Sequence, residues 1–374
     1  MKVLHINCNY LDSMLHQTMV NELRRAGVDN DVFVPVYNLD SHIVKQPENY
    51  VKVSACFKKR DRFLFHYKQH KIYTTVKSLF DISHYDCLHA YTTFTDGYVT
   101  RRLAMEFGVP YVVAVRNTDV NTFFKYMVHL RNAGINVLKD AKAVFFLSVT
   151  YREHVLNTYV PEKLREEIRK KSYIVPNGID NFWHQKKCLN RSYESIERRF
   201  QNKHIKVLYV GDIDKNKNIT EICSAVSILE RKGWKVEFDV VGRVVDNDVF
   251  AQINNSVTYH NRMPKENLIE YFRNADIFIM TSHTETFGLV YPEAMSQGLP
   301  VIYTRGQGFD KQFEDGEVGY ACSDLDPEEL VKKIQLCVEN YERLSKAGLD
   351  GIEKYRWDRI CEFYKQKYNE ILGS

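Results

Sequence analysis

Residues 276–302 read DIFIMTSHTETFGLVYPEAMSQGLPVI, and the order of patterns within them decides the fold. Positions 276–281 form a short apolar run of strand length, 282–288 a polar loop ending in Phe287 and Gly288, and 289–297 a helical pattern that Gly298 stops. Pro300, Val301 and Ile302 open a second strand. A strand, a loop, a helix and a further strand in this order form a unit whose two strands run parallel. In an open parallel sheet, ligands gather beyond the carboxyl ends of the strands, where unpaired N–H groups and the helix dipole favour an anion. Glu285 and Glu293 bracket that turn.

The same alternation extends outward on both sides. In the second half, strands are predicted at 205–210, 236–241, 257–259 and 319–322, with helices at 218–232 and 265–274. From 327 the chain is helical. Residues 357–372 form an amphipathic helix with Trp357, Ile360, Phe363, Tyr364, Tyr368 and Ile371 as its apolar positions. In the first half, strands are predicted at 2–7, 32–36, 87–90, 111–115, 143–147 and 173–175, with helices at 13–25, 97–107 and 151–159. Alternation of this kind predicts an α/β protein of two doubly wound parallel sheets, each covered on both faces. The turn residues PNGID at 176–180, followed by a polar and basic stretch, mark a boundary. We therefore expect a first domain over 1–183, a linker over 184–203 and a second domain over 204–355. Two such domains leave a cleft between them, the default ligand site.

Composition narrows the function classes. With 374 residues, 44% hydrophobic and 27% charged, the chain can bury the cores of two domains. No run of eighteen apolar residues occurs and the N-terminus starts directly as a strand, so neither a membrane span nor a signal peptide is expected and the cytoplasm is the expected compartment. Eight cysteines without C-x-x-C spacing argue for reduced thiols, against a zinc cluster or a disulfide framework. A formal charge of +4 is too small to imply nucleic acid. Between residues 52 and 77, however, basic and aromatic side chains interleave around one acid, Asp61. That segment suits either an anionic membrane surface, making the protein peripheral on the inner face of a membrane, or a solvated helical face whose apolar side lies in the core.

Three loops of the second half should converge at the strand ends: 211–217, Gly242 with Arg243, and 282–288. The first, GDIDKNKN at 211–218, sets Lys215 and Lys217 just before a helix, where ammonium groups and backbone donors can meet a diphosphate. A lysine in a polar loop is ordinarily just solvated. An isolated glutamate at a helix start is ordinarily a cap or dipole residue. Arg243 suits either phosphates or a surface ion pair.

The block from Glu285 through Glu293 to Ile302 strongly resembles the E-x7-E signature of retaining glycosyltransferases of family 4, the glycosyl transferases group 1, which have the two-Rossmann GT-B fold. Further residues carry the likeness. Val175 to Asp180 resembles the family's PNGxD segment, Gly211 with Lys217 its GR-x4-KG loop, Ala275 and Asp276 its AD strand, and Asp315, Gly316 and Gly319 its DGxxG turn; the helix begun by Trp357 resembles the family's crossing segment, which implies that 356–374 packs back on the first domain. The resemblance implies that the donor nucleotide sugar binds the second domain. Glu293 would accept from the ribose hydroxyls, Glu285 would meet the donor sugar, and the N–H groups of Phe287, Gly288, Leu289 and Val290 would hold the diphosphate or sugar. Lys217 would neutralise the leaving nucleoside diphosphate, Arg262 and Met263 would lie where the base is held, and no metal or other cofactor would be required. Three positions depart from the pattern. Asp212 stands where the family has arginine, leaving Lys215 and Arg243 as candidates for the second phosphate cation. Residues 7–13 replace a glycine-rich loop. Arg116, in Arg116-Asn117-Thr118-Asp119, replaces the histidine of the family's HGTD, while Asp119 matches as a catalytic candidate. On this acceptor side, Arg116 and Asn117 could bind an anionic acceptor or a donor carboxylate, or Arg116 could pair with Asp119.

The expected function is a retaining, metal-independent hexosyltransferase. It would take a nucleotide sugar, with uridine as the family's commonest base, to a saccharide, lipid-linked or protein-linked acceptor in cell-surface polysaccharide or glycoconjugate synthesis. Two alternatives remain at this stage: a nucleotide-sugar epimerase, and a non-catalytic partner subunit that keeps the fold.

Overall fold

Among the described residues, the apolar runs of the first half become seven strands: β1 (Lys2–Ile6), β2 (Asp29–Val36), β3 (Val51–Ala55), β4 (Cys87–Ala90), β5 (Tyr111–Val115), β6 (Ala143–Phe146) and β7 (Ser172–Ile174). In the computed structural model, which describes residues 1–39, 48–253 and 255–373, they lie in the order β3-β2-β1-β4-β5-β6-β7, and every neighbouring pair is parallel. Helices cover both faces, so the central strands are apolar throughout: all five residues of β5 and all four of β6 are buried. One face is packed by Phe94, Val99, Leu103, Val137 and Leu138. The other is packed by Met19, Val20 and Leu23 of the helix Met14–Arg25, together with the last helix of the chain, Trp357–Leu372. That last helix inserts Ile360, Cys361, Tyr364 and Tyr368, and the Tyr368 hydroxyl lies 2.6 Å from Nδ1 of the buried His89. The first unit comprises Met1–Leu147, Tyr151–Asn177 and Trp357–Ser374.

The second unit, Ser148–Thr150 with Gly178–Arg356, repeats the plan with six strands among the described residues. They are β8 (His204–Val210), β9 (Lys235–Gly242), β10 (Thr258–Asn261), β11 (Ile277–Met280), β12 (Val301–Thr304) and β13 (Gly319–Cys322). Their order is β10-β9-β8-β11-β12-β13, again all parallel. The order reverses between β8 and β11. The loops that follow these two strands, from Gly211 and from Thr281, therefore open side by side at the switch point, where such sheets bind ligands.

Several elements differ from expectation. Residues 184–203, expected as a linker, lie within the second unit and include the helix Tyr193–Gln201, with Ile196 and Phe200 buried. Arg191 ties this segment down: its Nε donates to the Tyr341 hydroxyl at 2.7 Å and its Nη1 to the Gln297 carbonyl at 3.0 Å. An anchor made by a guanidinium leaves no hydrophobic period to read. Residue 276 falls just before β11; Asp276 is buried, pairs with Arg199 and accepts from the Lys206 N–H at 2.9 Å. The helix expected over 289–297 spans Val290–Ser296. Within 51–80, Val51–Ala55 is the edge strand β3, and the helix Phe65–Leu79 buries Ile72, Tyr73 and Val76. Helices at Arg131–Asp140, Glu162–Lys170 and Asn247–Ile253 were not foreseen.

Candidate active site

At the switch point of the second sheet the chain after β8 makes a tight 3-10 turn, Lys215–Lys217. Asp214 caps it by accepting from the Lys217 N–H at 2.9 Å, and Asn218 leaves it in the left-handed region at φ 55°. Asn216 fastens this turn to the loop after β11. Its Oδ1 accepts from the Thr284 N–H at 3.0 Å, its Nδ2 donates to the Thr284 carbonyl at 3.0 Å, and its own carbonyl accepts from the His283 N–H at 2.8 Å. With the two loops fastened, Lys217 Nζ lies 2.7 Å from Glu285 Oε2, and both side chains are only partly exposed, 22% and 15%. Two of the sequence candidates, 68 residues apart, thus form one charge-assisted pair.

The Glu285 loop is supported from behind. The Glu285 N–H donates to Gln307 Oε1 at 2.9 Å, and the Gly308 N–H donates to the Glu285 carbonyl at 2.7 Å. A Cβ on Gly308 would stand 1.8 Å from the Thr286 carbonyl oxygen, so glycine alone permits this approach. Phe287 is buried against Tyr355, with ring centroids 5.8 Å apart. Gly288, at φ 75°, turns the chain into the helix, which begins at Val290 with Leu289 as its cap; these residues are half-buried. With seven residues, this helix contributes little dipole, and its first N–H groups act as local donors.

Glu293 faces a cavity of about 480 Å³ that Gly211, Asp212, Gly242, Arg262, Met263, Asp180, Trp183 and Lys265 also line. Burial pushes its carboxyl from the ordinary 4.5 up to about 8; a hydrogen bond from the Trp183 side chain pulls the other way, and the nearby Asp180 adds to the rise. Asp180 itself pairs with Lys265. Gly211 and Gly242 mark where two loops touch: a Cβ on Gly242 would lie 1.8 Å from the Gly211 carbonyl oxygen.

The phosphate-cation candidates fare unequally. Arg243 Nη2 lies 2.7 Å from Asp212 Oδ2, so the residue that departs from the family pattern has taken up this guanidinium. Lys215 stands 3.8 Å from Asp246 and is 80% exposed. In the first unit, Asp119 is 1% exposed, and its carboxylate accepts from three backbone N–H groups, Thr93 at 2.9 Å, Phe94 at 3.1 Å and Arg116 at 2.9 Å. Burial raises it to about 6, against those three bonds. Such a carboxylate holds loops in place. The Arg116 side chain does not pair with it: Nη1 donates to Asn177 Oδ1 at 3.2 Å, while the buried Nε meets no acceptor. Asn117 is exposed and accepts from Asn121 Nδ2.

Several contributors escaped sequence reading. Asn216, Gln307 and Gly308 reach the site from a turn and a loop, and Trp183 from the five-residue helix Asn181–Gln185, all too short for a period, and only the Gly306-Gln307-Gly308 spacing after β12 was a usable signal.

Residues 192–353 match the family described as Glycosyl transferases group 1, and this segment contains both glutamates and Lys217. An uncharacterized glycosyltransferase of Methanocaldococcus jannaschii is 22% identical over 312 residues, covering 80% of this chain and 79% of its own. The capsular polysaccharide biosynthesis glycosyltransferase CapM of Staphylococcus aureus is 26% identical over 194 residues, about half of each chain at 49% and 50%. Among solved structures, Anabaena HepE in complex with UDP superposes with a TM-score of 0.67 at 15% identity, covering 99% of this chain and 100% of that one. The fold is that of the GT-B glycosyltransferases, and the two-glutamate block lies within the segment that matches the group 1 family.

Proposed function

We propose that this chain, whose residues 192–353 carry the group 1 glycosyltransferase signature, transfers a sugar from a nucleotide-sugar donor with retention of configuration. The observation that carries this reading is the Lys217–Glu285 pair at 2.7 Å, with Glu293, further along the same loop and helix, lining the cavity. The cavity takes the nucleoside, with Glu293 bonding the ribose diol and Arg262 and Met263 flanking the base. Uridine is the favoured base, because HepE, of the same fold, is described in complex with UDP. The diphosphate sits against the N–H groups of Gly288, Leu289 and Val290, and the Lys217 ammonium takes up its growing charge without a metal. Glu285, released from part of its bond to Lys217, accepts from hydroxyls of the donor sugar.

In the transfer step, the acceptor hydroxyl approaches the face of C1 from which the phosphate departs. The C1–O bond to phosphate breaks, the C1–O bond to the acceptor forms, and the hydroxyl proton passes to the leaving phosphate oxygen. The protein supplies position and charge. Asp119, its oxygens occupied by three N–H groups, is a positioning residue for the Arg116 loop. Arg116, a partly exposed guanidinium that donates to Asn177 through Nη1, is offered to an acceptor carrying phosphate or carboxylate. The acceptor is a lipid-linked or other saccharide of cell-surface synthesis, in keeping with the likeness to CapM.

Thermal unfolding against a panel of nucleotide sugars tests the donor half: a donor that binds only the native state raises the melting temperature. Release of nucleoside diphosphate, lost in Lys217→Ala, tests the chemistry. Conversion of the donor itself without any acceptor would indicate an epimerase. No shift with any nucleotide sugar would leave a non-catalytic partner subunit, a reading that the Asp212–Arg243 pair favours by occupying one phosphate cation.

A further inference from the structure

Residues 58–67, KKRDRFLFHY, lie in the first unit, where a 3-10 turn, Lys59–Phe63, runs into the helix Phe65–Leu79. Three large apolar side chains at this junction face solvent: Phe63 is 90% exposed, Leu64 62% and Tyr67 51%. Lys58, Lys59, Arg60 and Arg62 are exposed around them. The acid of the run, Asp61, is buried; it accepts from the Lys58 N–H at 2.8 Å and from Lys71 Nζ at 2.6 Å. Asp61 therefore shapes the turn and adds no negative charge to its surface. C-terminal to this turn the cations are engaged: Lys77 pairs with Glu106, and Lys68 lies 4.6 Å from the centre of the Phe57 ring. Tertiary structure thus divides a uniformly basic stretch. Lys68, Lys71 and Lys77 are bound within the protein and Arg62 lies 4.8 Å from the centre of the Tyr37 ring, while Lys58, Lys59 and Arg60 remain beside Phe63 and Leu64, none meeting a carboxylate among the described residues.

A single exposed leucine is ordinary. Three adjacent exposed apolar side chains ringed by cations, on a turn held rigid by a buried acid, match the layered chemistry of a bilayer surface, with apolar depth below and anionic headgroups at the rim. No helix among the described residues is long and apolar enough to cross a membrane. We propose that this turn docks the first unit on an anionic lipid bilayer. Phe63 and Leu64 enter the boundary between headgroups and acyl chains, Tyr67 lies at headgroup level, and Lys58, Lys59 and Arg60 rest on anionic headgroups. The inference deepens the reading of a lipid-linked acceptor and rests on it only for the choice of acceptor; the attachment is measured without any transfer reaction.

The test is co-sedimentation of the full chain with vesicles of phosphatidylcholine alone and of phosphatidylcholine with about one-third phosphatidylglycerol. The expected result is binding to the anionic vesicles only, weakened by salt. Phe63→Ser with Leu64→Ser lowers the partition by roughly tenfold. Lys58→Glu with Lys59→Glu and Arg60→Glu lowers it by roughly a hundredfold, at about fivefold per cation removed. Because these side chains are exposed, the variants keep the wild-type melting temperature, and Phe63→Trp shows a blue-shifted emission with the anionic vesicles alone. The proposal is overturned by equal binding to both vesicle types, by binding that the substitutions leave unchanged, or by no binding at all. Self-association of the wild type abolished by Phe63→Ser would overturn it too, making the turn a contact between copies of the chain. Nucleotide-sugar binding, measured separately, stays intact in any of these cases, so loss of the membrane reading and loss of the donor reading are told apart.

Discussion

Lys217 and Glu285 hold one another 2.7 Å apart across two half-buried loops, so removing the ammonium strands the carboxylate and, in the proposed reaction, deprives the leaving diphosphate of its cation. Lys217→Ala should lower kcat for transfer by on the order of 10²–10³, read as nucleoside diphosphate released. Glu293 carries a different signature. In the folded chain it keeps its proton to about pH 8, but its ordinary value is 4.5, so between these limits the native state binds more protons than the unfolded one. Stability contributed by this group is therefore lost as pH rises through that window and levels off above it. Melting temperatures of wild type and Glu293→Gln, compared from pH 5 to 9, should converge at the acid end and separate in favour of the glutamine variant at the alkaline end. Arg116, which holds Asn177 but leaves Nε without an acceptor, makes a third case. Arg116→Gln should raise KM for an acceptor bearing phosphate or carboxylate by about tenfold or more while leaving a neutral acceptor unaffected.

At the scale of elements, the site depends on how closely loops after different strands can approach. Gly308 follows β12, and its N–H holds the Glu285 carbonyl at 2.7 Å. Gly308→Ala would drive a Cβ to 1.8 Å from the Thr286 oxygen, pushing the Glu285 loop off Lys217. We expect a cost of roughly 1–3 kcal/mol in stability, measured by denaturant unfolding, with a larger fractional loss of transfer. Strands and long amphipathic helices were legible in sequence because their apolar period is local: the helices Lys265–Asn274 and Trp357–Leu372 fall where the pattern put them. The short helices and the segment 184–203 were not legible. Glu162–Lys170 buries only Ile168, and Arg191 anchors its segment through hydrogen bonds that leave no period.

For the whole molecule, the last helix follows the second unit in sequence and belongs to the first in space. Removing residues 357–374 would strip Ile360, Cys361, Tyr364 and Tyr368 from the core of the first sheet. At roughly 1.5–3 kcal/mol for each large apolar side chain, that loss approaches the whole stability of a domain. The truncated chain should therefore show selective proteolysis of residues 1–177, and Tyr368→Phe, which takes the hydroxyl from His89, should cost about 1–3 kcal/mol. The alternation of strands and helices, the doubly wound class and the two-glutamate block were all determined by the sequence itself, because each rests on residues a few positions apart. Which charges remain available was decided only by tertiary structure. Arg243 is taken by Asp212, 31 residues away, Lys217 meets Glu285 across 68, and Asp119 gives its oxygens to backbone N–H groups of another loop. Local periodicity places an element, but a pairing between distant residues depends on which strands lie side by side, and that order exists only once the sheet has formed.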